Sequence, residues 1–68
     1  MEIASWQKEL LALLGQRGLS RTDVYSVMLV LSREEKGREM IERLKRAPDL
    51  TVDEICEVAG KIAFGENA

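Results

Sequence analysis

The sequence contains no histidine and only one cysteine, Cys56, among its 68 residues. Without histidine, the chain lacks the side chain that most often serves as a general base and as a zinc ligand. A single cysteine excludes an internal disulfide and a pair of thiolate ligands, and it is typical of a reducing, cytoplasmic compartment. We therefore expect a cytoplasmic protein that is not an enzyme and that holds no cofactor and no metal ion.

Long apolar runs and a basic excess are also missing. The densest apolar run covers residues 27–31, whereas a membrane-spanning helix needs about 20 apolar residues. The first six residues lack the basic and apolar segments of a secretory signal, so we expect neither export nor a membrane partner. The formal net charge of −2 gives no sign of a nucleic-acid-binding patch. At 46% hydrophobic residues, however, the chain is too apolar to be disordered.

The apolar residues that are present recur at helical spacing, which predicts one all-α domain over residues 1–68. We expect a compact bundle of four short helices with orthogonal or bundle-like packing. Their predicted ranges are residues 3–16, 20–31, 33–46 and 52–64.

Capping signals predict where these helices begin and end. Ser20 and Thr51 are good N-caps, and Ser32 followed by Glu35 has the pattern of a capping box. Pro48 prevents the third helix from continuing. Residues 31–33 favour either a tight corner or one continuous helix, and the sequence leaves both open.

The third predicted helix has the pattern of a solvated surface helix. Its apolar stripe is narrow and consists of Met40, Ile41 and Leu44. Three pairs of opposite charge follow at i, i+4 spacing, in the order that stabilises a helix. They are Glu34 with Arg38, Glu39 with Arg43, and Glu42 with Arg46.

The second predicted helix is apolar around most of its circumference. Its apolar residues are Val24, Tyr25, Val27, Met28, Leu29, Val30 and Leu31. Three short neighbouring helices cannot cover all of this surface, and a domain of about 60 residues is only marginally stable. We therefore expect a homodimer, or an adaptor that binds another protein. The alternative is a compact monomer in which the second helix is the central one. The predicted interface residues on the first two helices are Trp6, Leu10, Leu14, Tyr25, Leu29 and Val30.

The fourth predicted helix suggests an alternative function. Residues 50–60 are similar to the first helix and turn glycine of helix-turn-helix regulators, which implies DNA binding. Only eight residues follow, too few for an ordinary recognition helix. The basic residues available near the loops are Arg17, Arg21 and Arg33. A DNA-binding regulator with a degenerate helix-turn-helix is therefore the alternative hypothesis. Cys56 lies beside the apolar stripe of this helix, and we expect a buried or half-buried thiol.

Residues 11–28, together with residues 53–56, resemble short uncharacterised helical proteins of bacterial genomes and prophages. The resemblance spans most of the chain. It implies an all-α fold and a bacterial origin, and it brings no assigned activity and no site residues.

Overall fold

The computed structural model describes residues 3–65, and this part of the chain forms four α-helices joined by short turns. They are α1 (Ser5–Gln16), α2 (Arg21–Val30), α3 (Glu34–Arg46) and α4 (Val52–Phe64). No strand occurs within residues 3–65, and the predicted all-α fold is confirmed. α1 begins two residues after its predicted start, because the extended backbone of Ala4 precedes the first helical turn.

The helices pack as two hairpins, α1 with α2 and α3 with α4. The hairpins lie against each other so that α1 contacts α3 and α2 contacts α4, and the α1–α3 contact is the most extensive. The diagonal pairs, α2 with α3 and α1 with α4, share little or no contact. The four helices thus form a closed ring around one core, and the main contacts between the hairpins are α1–α3 and α2–α4.

The core is built from one apolar stripe of each helix. Its buried members are Trp6, Leu10, Leu14, Leu19, Val27, Leu31, Met40, Ile41, Leu44, Ile55, Ala59 and Ile62. The indole ring of Trp6 lies directly on the backbone of α3 at Gly37. A Cβ atom added at Gly37 would lie 2.2 Å from Cε3 and Cζ3 of this ring. The absence of a side chain at this position is what allows α1 and α3 to approach closely.

The predicted caps at Ser20 and Thr51 are confirmed. The Ser20 hydroxyl accepts a hydrogen bond from the Asp23 N–H at 3.2 Å, and Thr51 forms a reciprocal capping box with Glu54. Gly18 follows α1 with φ +84°, a left-handed conformation that favours glycine and reverses the chain direction. Helices α2 and α4 therefore begin where their capping residues indicate.

Two long cationic side chains connect distant helix ends. The Arg17 guanidinium donates hydrogen bonds to the carbonyl oxygens of Leu44 and Ala47 at the C-terminus of α3. The Lys36 ammonium donates to the Ala63 carbonyl oxygen at the end of α4, at 2.6 Å. Carbonyl groups in the last turn of a helix have no partner within the helix and carry a partial negative charge. Both contacts therefore stabilise helix ends. The Arg17 contact also joins the two hairpins, and the Lys36 contact joins the two helices of one hairpin.

The junction between α2 and α3 is a tight corner at residues 31–33. The capping box predicted at Ser32 is not formed: Arg33 is the N-cap of α3, and it makes no side-chain capping hydrogen bond. Glu34 and Glu35 still place negative charge in the first turn of α3, where it favours the helix dipole. α2 ends at Val30 with neither a glycine C-cap nor a basic residue in its last turn.

The charged surface of α3 faces solvent, as its pattern predicts. Met40, Ile41 and Leu44 are buried, and all three predicted i, i+4 ion pairs are present. The side chains of these pairs are largely exposed, and a pair of this kind contributes only about 0.5 kcal/mol or less. One further ion pair joins two helices, because Lys45 Nζ lies 2.9 Å from Glu9 Oε2. The outer surface of α3 is therefore that of an ordinary solvated helix.

Candidate interaction surface

An apolar surface remains uncovered on the outside of the α1–α2 hairpin. Tyr25 is 68% exposed, Leu29 62% and Ile3 51%, and Leu11 is also exposed. Together with Gln7 and the half-buried Met28, these side chains line an open groove of about 470 Å³. We call this set of six residues the α1–α2 face.

Helical geometry explains why α1 presents two separate apolar stripes. Residues 6, 10 and 14 recur every four positions and face the core. Residues 7 and 11 have the same spacing but lie about 100° away around the helix axis, outside the core contact, and Ile3 precedes the first turn of α1. On α2, residues 25, 28 and 29 share one side at i, i+3 and i+4 spacing. Because α1 and α2 are packed neighbours, the two outer stripes form one continuous face.

A second depression adjoins the α1–α2 face and shares three of its residues. It has a volume of about 380 Å³ and is lined by Leu11, Arg21, Thr22, Val24, Tyr25 and Met28. Among residues 3–65, Arg21 is the one charged residue that lines either of these two depressions. Tyr25 forms part of the wall of both, so its ring divides one broad apolar surface into two grooves.

The α1–α2 face contains no ionisable acid or base other than the phenol of Tyr25. Its amide residue, Gln7, already accepts a hydrogen bond from the Ala4 N–H through its side-chain oxygen, at 2.9 Å. Burial is usually penalised by polar groups that lose their hydrogen bonds to water and find no other partner. Covering this face would bury few such groups. The ring of Tyr25 can be buried against a partner while its hydroxyl stays in contact with water.

The six predicted interface residues divide into two groups. Tyr25, Leu29 and Val30 are exposed on α2, and Tyr25 and Leu29 belong to the α1–α2 face. The three predicted on α1, namely Trp6, Leu10 and Leu14, lie in the core of the single chain. Their stripe covers α3, so these three residues lie outside the α1–α2 face, and their place in an interface stays a prediction.

Ile3, Gln7, Leu11 and Met28 are members of the face that the sequence interpretation did not select as interface residues. The spacing of residues 3, 7 and 11 is a signal for a second stripe, but only the arrangement of α1 on α3 decides which stripe stays outside. Phe64, 70% exposed at the end of α4, lines neither groove.

Cys56 is exposed on α4, so the expectation of a buried or half-buried thiol is wrong. The core contact of α4 is made by Ile55, Ala59 and Ile62, and the neighbouring position points outward. Partial desolvation raises the pKa of the Cys56 thiol, and the carboxylates of Asp23 and Asp53 raise it further. The thiol is consequently a poor nucleophile at neutral pH. Within residues 3–65, no three His, Cys, Asp or Glu side chains come together as a metal-binding group.

The features behind the DNA-binding alternative have other roles in the fold. Gly60 lies inside α4, which continues to Phe64, so the helix-turn-helix pattern has no turn at this glycine. The Arg17 guanidinium is engaged at the C-terminus of α3. Arg21 and Arg33 are exposed. Within residues 3–65, the structure therefore supplies neither a turn at Gly60 nor a free cluster of these three arginines.

Comparison of the chain with protein-family models, with curated proteins and with solved structures gave no match. The resemblance to short bacterial and prophage helical proteins thus stays a prediction. In the part of the chain that the structure describes, the helices are too short to cross a membrane. The longest have 13 residues, or about 20 Å of helix against the 30 Å of a bilayer core.

Proposed function

We propose that this chain is a small, non-enzymatic interaction protein that forms a homodimer through the α1–α2 face. The observation that carries the proposal is the exposure of Ile3, Leu11, Tyr25 and Leu29 on one continuous, uncharged surface. Full burial of a side chain of this size contributes about 1.5–3 kcal/mol, so a marginally stable domain gains substantially when the face is covered. The free thiol of Cys56 supports a reducing, cytoplasmic setting for this dimer.

A second copy of the chain fits this face better than a charged partner does. In a two-fold dimer the same patch meets itself, so a patch with one sign of charge would repel its copy. The residues of the α1–α2 face carry no formal charge at neutral pH, whereas the charged residues of α3 lie on the other hairpin. A neutral apolar patch is compatible with itself, and Tyr25 adds an aromatic side chain of the kind enriched at the centre of interfaces.

The test is the mass of the chain in solution, compared between matched lysine substitutions on α2. Sedimentation of the native chain at micromolar concentration should give a mass near twice 7.7 kDa. Leu29→Lys removes an exposed apolar side chain, places like charges across the two-fold axis and suits the C-terminal end of a helix dipole. We expect it to remain folded and to weaken the dimer by roughly 100-fold or more.

Ser26→Lys is the matched control, because Ser26 is exposed on α2 but lines neither groove. It introduces the same charge on the same helix, and the dimer should persist. A native chain that stays monomeric at several hundred micromolar would overturn the proposal. Equal effects of the two lysine substitutions would also contradict it, because they would show that charge alone, and not the face, controls association.

A further inference from the structure

We propose that the homodimer forms by exchange of the α3–α4 hairpin, with α2 and α3 joined into one continuous helix through residues 31–33. This inference deepens the proposed function and rests on the chain being a dimer. It specifies how the second copy is held, which the exposed face alone does not. Four features of the fold support it: the helix ends at the corner, the packing pattern of the hairpins, the sequence of the corner, and the position of the exposed residues beside it.

The corner between α2 and α3 is the one junction of the described chain where neither adjoining helix end has a hydrogen-bonded side-chain cap or a left-handed glycine. α1 is followed by Gly18, α2 is capped by Ser20, and α4 lies between Thr51 and Gly65. The C-terminus of α3 receives Arg17. At the corner, by contrast, the end of α2 and the start of α3 leave backbone groups without partners in a helix. A continuous helix through residues 31–33 would pair these groups.

The packing pattern makes exchange possible without loss of core contacts. α2 and α3 share little or no contact, so straightening the corner separates helices that do not depend on each other. The contacts between the hairpins are α1 with α3 and α2 with α4. In an exchanged dimer each of these contacts is made again, with the α3–α4 hairpin of the second copy. The α1–α2 and α3–α4 contacts stay within one chain.

The sequence across the corner permits a helix. Residues 30–35 contain no glycine and no proline, and Ser32 is exposed and does not cap α3. The joined helix would cover residues 21–46, which is 26 residues or about 39 Å long. The corner has three residues between the helices. A short hinge of this kind favours exchange, because the chain must bend sharply at a closed corner and need not bend in a continuous helix.

The exposed residues next to the corner have a place in such a dimer. The two hinges of an exchanged dimer cross near its two-fold axis, so each hinge meets the hinge of the other copy. Leu29 and Val30 are exposed immediately before the corner, and Leu31 is buried at it. In the exchanged form Leu29 and Val30 pack against their counterparts. The partner thereby covers the end of the α1–α2 face that lies nearest the hinge.

Glu34→Pro distinguishes the closed corner from the continuous helix. Glu34 is the first residue of α3, a position that proline prefers, and Arg33 before it has φ −103° and ψ 145°, which suits a residue that precedes proline. The closed monomer therefore accepts this substitution. In a continuous helix the same proline would remove a hydrogen bond and clash with the Val30 carbonyl group. We expect dimerisation to weaken by at least about 100-fold, with the helical circular dichroism of the monomer retained.

Glu34→Gln is the matched control, because it also removes the ion pair with Arg38 but leaves a residue that a helix accepts. Its dimer should match that of the native chain. If Glu34→Pro dimerises as strongly as Glu34→Gln, the exchange is wrong. In that case the homodimer through the α1–α2 face still stands.

A zero-length cross-link tests the exchange on the native chain, whether or not Glu34→Pro folds. Lys45 on α3 and Glu9 on α1 form an ion pair at 2.9 Å, and a carbodiimide joins such a pair by an amide bond. In an exchanged dimer this bond connects two chains, and mass spectrometry of a covalent species near twice 7.7 kDa should locate it between these residues. Lys45→Arg keeps the charge and should abolish it.

The possible outcomes separate the two proposals. A Glu9–Lys45 bond found between chains in the dimer supports the exchange. The same bond found only within single chains, in a sample that sediments as a dimer, overturns the exchange and leaves the proposed function standing. A native chain without any dimer overturns both.

Discussion

At the scale of single residues, the contact between Trp6 and Gly37 is the tightest constraint on the core. The indole ring occupies the space that any side chain at Gly37 would need, so α1 and α3 are held at a distance that glycine alone allows. Gly60 offers a direct comparison, since it lies inside α4 with no atom of the neighbouring elements within 4 Å of an added Cβ. The two glycines thus separate the effect of helix propensity from that of close packing.

We expect Gly37→Ala and Gly60→Ala to change stability in opposite directions. Gly37→Ala should reduce the free energy of unfolding by about 1–3 kcal/mol, because the indole ring must shift. Gly60→Ala should raise it by about 0.4–1 kcal/mol, because alanine loses less backbone entropy in a helix. Urea denaturation followed by circular dichroism measures both. Stabilisation by Gly37→Ala would show that Trp6 can move freely and that the contact is not a constraint.

Arg17 illustrates a residue role that the sequence interpretation assigned differently. Its guanidinium donates to the carbonyl oxygens of Leu44 and Ala47, so Arg17→Met should reduce the free energy of unfolding by about 1.5–3 kcal/mol. Arg38→Met is the control, because Arg38 makes an exposed i, i+4 pair with Glu34 and its loss should cost about 0.5 kcal/mol or less. Thermal or urea unfolding measures the difference. Equal losses would mean that the long-range cap is no stronger than a surface ion pair.

At the scale of helices, the start of α4 is stabilised by a capping box that depends on pH. The Thr51 N–H donates to the Glu54 carboxylate at 2.9 Å, and this bond and a hydrogen bond from the Thr51 side chain lower the pKa of Glu54 below its ordinary value of 4.5. Since the folded pKa is lower than the unfolded one, the carboxylate stabilises the fold at pH values above 4.5. This contribution is lost as the pH falls through the folded pKa.

Glu54→Gln should remove this part of the acid dependence. We expect the native chain and the variant to differ in unfolding midpoint at neutral pH and to converge below the folded pKa of Glu54. Thr51→Ala keeps the backbone N–H and removes only the side-chain hydrogen bond, so it should move the pKa of Glu54 part of the way back toward its ordinary value, as carboxyl NMR titration would show. A titration curve of Glu54 that does not change in Thr51→Ala would show that the Thr51 side chain has no part in the shift.

Helices were predictable from the sequence wherever a local pattern determines them. Ser20 and Thr51 cap their own helices, and the charge pairs of α3 lie within four residues of each other, so no tertiary knowledge is needed. Ser32 has the same local pattern but does not cap, because the corner places Arg33 at the N-cap. The choice between the two stripes of α1, and the exposed position of Cys56, depend on which helix packs against which. That information is tertiary, and it decided which predicted interface residues remain on the surface.

At the scale of the whole molecule, the two hairpins differ in how they meet solvent. The α3 surface carries charged pairs, whereas the α1–α2 hairpin leaves an uncharged apolar face open. The sequence predicted an excess of apolar surface from the second helix, and Tyr25 and Leu29 carry much of it in the structure. A chain with this asymmetry should couple its stability to association, because a partner that binds only the folded state stabilises it by mass action.

The melting temperature of the native chain should therefore rise with its concentration. In the range where the dimer predominates, a hundredfold increase contributes about 2.7 kcal/mol per dimer, or half of that per chain. For a domain of this size the resulting shift is about 5–10 °C. Ser26→Lys should show the same slope, whereas the melting temperature of Leu29→Lys should not depend on concentration. Calorimetry of the three chains over this range measures the coupling directly. A melting temperature of the native chain that stays constant would mean that the open face is tolerated by the monomer, and that its burial is not what stabilises the fold.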